Sequence, residues 1–105
     1  MFPNLRRHFV SDRARRAYTQ IEKAIRKKAE LISEREFHLE MAHFYTSRVS
    51  SIDPHKEWWD FADSKQKEFD NQRAASVLNR QVEEAEAKVA AYRIRYQEAR
   101  VKLDE

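Results

Sequence analysis

The chain has 105 residues, with 21 bases against 18 acids for a net charge of +3, which is the length of one domain. It contains no glycine, two prolines and no cysteine, where average usage would give about seven glycines and about five prolines. Without glycine there are no low-cost left-handed turns and no phosphate-cradling loops, which argues against sheets, barrels and P-loop or dinucleotide sites. Without cysteine there are no disulfides, thiolate zinc sites or thiol catalysis.

What remains is long helix. The sequence predicts an all-α fold, an elongated antiparallel hairpin of two long helices with coiled-coil packing. Residues 1–10 read as a basic N-terminal extension, 11–50 as helix one and 54–104 as helix two, within a single helical domain over 1–105. At 1.5 Å per residue, such helices would run roughly 55–75 Å.

The charge is unevenly spread. Residues 1–28 hold nine bases and two acids, residues 29–53 two bases and five acids, and residues 54–105 ten bases and eleven acids. The basic segment carries Arg6, Arg7, Arg13, Arg15, Arg16, Arg26, Lys27 and Lys28, a set suited to phosphate, anionic lipid or an acidic protein face. Its start, with no acid before Asp12, resembles an organellar presequence in composition. The retained Met1 argues against cleavage of such a segment. An intracellular location is the expectation, with a mitochondrial one as an option that rests on that start alone.

Helix one is predicted to be capped at Ser11, with Asp12 in its first turn at the positive end of the dipole. It is apolar on more than one side. One stripe reads Ala14, Tyr18, Ile21, Ile25, Ile32, Leu39, Ala42 and Val49, interrupted by Lys28 and Arg35. A second reads Leu31, Phe37, Met41, Phe44, Tyr45 and Ile52. A hairpin buries one stripe per helix, so the surplus points to a further surface for a partner.

Asp53-Pro54 is predicted to cap and open helix two, since proline fits the first helical position and pushes its predecessor out of the helical region. Trp58, Trp59 and Phe61 follow immediately. Consecutive helical positions point about 100° apart, so the two tryptophans cannot share one core. Either both cover the hairpin end, or one plugs it and leaves the other to a partner, a membrane surface or solvent. The acids Asp53, Glu57, Asp60 and Asp63 weigh against the membrane surface.

From Ala75 the seam Ala75, Leu78, Val82, Ala85, Val89, Tyr92, Tyr96, Ala99 and Leu103 alternates spacings of three and four between charged flanks. Extended backwards, it meets Asn71, Glu68 and Ser64, which is where the pattern fails and where helix two can break, within 63–72. Continuity is the preferred reading, because Lys, Gln and Glu form helix well and neither Gly nor Pro intervenes.

These features lead to a non-enzymatic structural or accessory subunit of a larger assembly, acting through helix–helix contacts, with an organellar complex as its setting. The candidate partner interface is Trp58, Trp59, Phe61, Phe37, Met41 and Phe44. No serine sits in a nucleophile-elbow context and a helical rod offers no pocket to separate carboxylate pKa values, so catalysis, cofactors and resident metals are not expected. Two readings compete with it. Residues 6–28 can bind nucleic acid or a ribosome along their basic face, with Phe9 and Tyr18 to stack on bases. The Glu40-x-x-His43 spacing, with the Glu34/His38 pair, is that of ferritin-like metal sites, but one such pair needs several chains to complete a site. Self-association is a further partner expectation.

Overall fold

The computed structural model describes the backbone of residues 3–104 and the side chains of residues 12–102. The chain is an antiparallel helical hairpin of α1 (Pro3–Ser51, 49 residues) and α2 (Trp58–Asp104, 47 residues). Helix α1 therefore begins at Pro3, with proline at the position where its missing N–H costs nothing, and not near Ser11. The expected extension over 1–10 is helical from residue 3 onward. Helix α2 runs unbroken through 63–72.

The connection differs from the predicted one. Pro54 does not open α2; residues 54–56 form a turn instead. The Asp53 carboxylate accepts the His55 N–H at 2.9 Å, and the Asp53 carbonyl accepts Lys56 N–H at 3.2 Å and Glu57 N–H at 2.9 Å. Asp53 thus caps a single turn, an Asx-type device that works without glycine. No described residue has a positive φ, so the reversal needs no left-handed position. The first α2 backbone bond runs from Phe61 N–H to the Glu57 carbonyl at 2.9 Å. Glu57 is therefore the cap residue, with Asp60 in the first turn complementing the helix dipole.

The helices form two compact units. The first joins residues 1–29 to 83–105, and the second spans residues 30–82. In the first, α1 turns Ala14, Ala17, Ile21, Ala24 and Lys28 inward, while α2 contributes Ala85, Val89, Tyr92, Tyr96 and Ala99. Half of these are alanines, which allow close backbone approach. Tyr18 and Tyr96 meet with ring centroids 5.9 Å apart, the antiparallel register expected of a hairpin turning near residues 50–54. Lys28 Nζ reaches Glu86 at 3.5 Å. The seam position Leu103 lies outside the described side chains.

In the second unit, α1 turns Leu31, Arg35, His38, Ala42, Tyr45 and Val49 inward, Ile52 follows just past its end, and α2 contributes Phe61, Ser64, Glu68, Asn71, Ala75, Leu78 and Val82. The α2 seam therefore does not fail before Ala75. It continues with the same spacing through polar residues, and Ser64, at 2% exposure, is as deeply buried as any described side chain. The α1 seam is also regular, but it is not the stripe expected. Tyr18, Ile25 and Leu39 are 43–51% exposed, because they sit one position beside the seam. The line keeps Lys28 and Arg35, the two interruptions of that stripe, and passes through Ala17, Ala24, Leu31 and His38 in place of Tyr18, Ile25, Ile32 and Leu39.

Candidate interaction surfaces

The polar seam positions are held by specific partners. Asn71 donates through Nδ2 to the Lys67 carbonyl at 2.8 Å, which leaves its Oδ1 facing His38 Nδ1 at 2.8 Å. An oxygen there can only accept, so His38 carries its hydrogen on Nδ1. Three residues earlier on α1, Arg35 donates to Asn79 Oδ1 at 2.9 Å, while its Nε is buried without a partner. Such groups cost stability relative to apolar residues but oppose any sliding of one helix along the other.

His38 is therefore held in the seam by Asn71. Glu40 and His43 are exposed on α1, and among the described residues no three His, Asp or Glu side chains converge to hold a metal.

The residues expected to meet a partner divide into two groups. Phe37 and Phe44 are 56% and 54% exposed on one side of α1, with half-buried Met41 between them. Phe37 and Phe44 are seven residues apart, two helical turns, and Met41 is four from one and three from the other, so the three form one apolar strip. Each phenylalanine is edge-on to its seam neighbour, Phe37 to His38 at 5.3 Å and Phe44 to Tyr45 at 5.1 Å. The strip is thus positioned by the seam rather than free to collapse into it.

The tryptophan pair behaves differently from expectation. Neither ring plugs the hairpin end: Trp58 is 53% and Trp59 71% exposed. They stack on each other instead, with centroids 3.9 Å apart and planes at 28°. Two side chains that cannot enter a common core hide one face each by mutual contact. Phe61, two positions beyond Trp59, is the aromatic that turns toward the seam.

In the basic segment, Arg13, Arg15, Arg16, Arg26 and Lys27 are exposed, whereas Lys28 is a seam residue paired with Glu86. The side chains of Arg6 and Arg7 lie outside the described residues. On the opposite helix, Lys67 is tied to Asp63 at 2.9 Å and sits 5.7 Å from the Tyr45 ring. The hydrogen bond and charge of Asp63 hold the Lys67 ammonium above its ordinary pKa. Sequence reasoning took Lys28 and Arg35 for interruptions of the stripe and missed the seam role of His38. The signal was present, since these three fill the gaps in an otherwise unbroken three-four spacing.

The surface grooves are open. One is lined by Arg35, Leu39, Gln72, Ala75 and Asn79, another by His38, Arg73, Ala74, Val77 and Gln81. No helix among the described residues is long and apolar enough to cross a membrane. No protein-family model, curated protein or solved structure matches the chain.

Proposed function

We propose that this protein is a non-enzymatic structural or accessory subunit of a larger protein assembly, acting through helix–helix contacts, with an organellar complex such as a mitochondrial one as its setting. The observation that carries this reading is the strip of Phe37, Met41 and Phe44. Two phenylalanines more than half exposed, two turns apart on one face of a helix, have the spacing of an anchor set for a partner helix. A helix whose seam is already filled gains nothing in its own fold from such residues, and their exposure is a standing cost in water. Burying both phenylalanines fully would remove about half of each ring's surface from water, on the order of 1 kcal/mol per residue.

The test is a mild-detergent pull-down of the tagged chain from its native source, with protein and nucleic acid both quantified. A fixed stoichiometric set of protein partners is expected, and Phe37→Ala with Phe44→Ala is expected to release it while helicity persists. Recovery of an unchanged set by the double variant refutes this role for the strip.

The exposed Arg13, Arg15, Arg16, Arg26 and Lys27 support a second reading, nucleic-acid or ribosome binding along α1. Nuclease-sensitive recovery of RNA or DNA in the same experiment, without a stoichiometric protein set, would favour it.

A further inference from the structure

We propose that the stacked Trp58–Trp59 pair is a docking surface for the arginine-bearing segment of a second copy of this chain, residues 6–16. The inference is separate from the foreign partner of the preceding section and uses different residues.

The surface is built for a planar cation. Each indole hides one face against the other and leaves the remainder, 53% and 71% of the residues, in solvent. The stack has therefore already given up part of its side-chain freedom, so a ligand laid on its outer face orders little more. Carboxylates surround it in the sequence: Asp53, Glu57, Asp60 and Asp63 are all exposed. Two of these are engaged, Asp53 with His55 N–H and Asp63 with Lys67. Glu57 and Asp60, immediately flanking the tryptophans, form no ion pair among the described residues. An indole face beside a carboxylate is the pairing that suits a guanidinium, which stacks on the ring and hydrogen-bonds to the acid at once.

The same chain supplies that cation. Residues 6–16 hold five arginines, Arg6, Arg7, Arg13, Arg15 and Arg16, against the single acid Asp12. Arg13, Arg15 and Arg16 are exposed. The two compact units carry opposite charge: residues 1–29 with 83–105 hold fourteen bases and eight acids, and residues 30–82 seven bases and ten acids, net +6 and −3. Charge complementarity thus points to a second copy. Donor and acceptor surfaces are different, so the contact is heterologous and each added copy leaves its own tryptophan pair open to the next.

The experiment is sedimentation of the purified, nuclease-treated full chain across a concentration series. At low salt the mass should rise with concentration above the 12.7 kDa monomer. Raising salt from about 0.05 M to about 0.5 M should weaken the association about tenfold or more, because exposed charges are screened. Trp58→Ala with Trp59→Ala should be monomeric, as should Arg13→Glu with Arg15→Glu and Arg16→Glu. Mixed in equal amounts, these two variants should form a species of twice the monomer mass and no larger, since only one complementary contact survives between them. Gln at the three arginine positions replaces Glu if circular dichroism shows the charge-reversed variant unfolded. A monomer at every concentration, association indifferent to salt, association abolished by nuclease, or a mixture that remains monomeric would each overturn the proposal.

Discussion

Val77 and Val82 offer a matched pair, because the same truncation on one helix should have different costs at the two positions. Val82 is 3% exposed on the seam and Val77 46% exposed beside it, both within the second unit. Valine to alanine removes two methyl carbons, about 1.6 kcal/mol when fully buried at about 0.8 kcal/mol per carbon. At position 82 nearly all of that is lost, whereas at 77 roughly half is, about 0.9 kcal/mol. Both substitutions recover about 0.5 kcal/mol of helix propensity. Val82→Ala should therefore destabilise by about 1 kcal/mol, with a few tenths more for an incompletely closed cavity, and Val77→Ala by less than about 0.5 kcal/mol. The cavity addition is small because the seam is one layer deep, so its walls can relax toward solvent. Thermal unfolding followed by helical circular dichroism should show a fall of about 4–8 °C for Val82→Ala. An equal or larger fall for Val77→Ala would refute the assignment of the seam and the ledger built on it.

The polar seam layer and the exposed ion pair make two further predictions. Replacing His38 or Asn71 singly by leucine should cost about 1 kcal/mol by leaving the other partner half-buried and unpaired, while the double replacement should recover much of that loss. A double-mutant cycle in urea with no coupling between the two positions would remove the hydrogen bond from the account. Lys67 has its folded pKa raised above its ordinary value of 10.5 by Asp63. Its contribution is therefore fully present below pH 10.5 and lost as pH rises through the folded pKa. Asp63→Asn should flatten that alkaline dependence in a pH series of unfolding midpoints; an unaltered alkaline limb would count against the pairing.

The α2 seam from Ala75 to Ala99 was legible without any structure, because every position is apolar and the flanks are charged. A three-four spacing of such residues has one low-energy placement, on a buried line. Its continuation through Asn71, Glu68 and Ser64 was not legible on hydropathy, since Ser64 and Asn71 are inward for reasons of size and hydrogen bonding. The α1 seam was misread for a related reason. Tyr18, Ile25 and Leu39 are larger or more apolar than Ala17, Ala24 and His38 beside them, so a hydropathy criterion follows the wrong line by one position there and takes Lys28 and Arg35 for interruptions. Lys28, Arg35 and His38 turn inward to meet Glu86, Asn79 and Asn71. The last two of these partners lie 44 and 33 residues away in the chain.

Composition alone therefore determined that this is a helical hairpin, because a chain without glycine but rich in good helix formers has few other ways to fold. The reversal between Ser51 and Trp58 was also marked in the sequence, by Asp53-Pro54, although as a capped turn rather than a helix start. Tertiary structure alone decided which face of α1 is inside, since burial of a polar residue depends on a partner that only the opposing helix can supply. It also decided that the two tryptophans meet each other. Their 100° offset along the helix excludes a shared core but leaves side-chain torsions to determine whether the rings part or stack, and those torsions follow from the surroundings and not from the spacing.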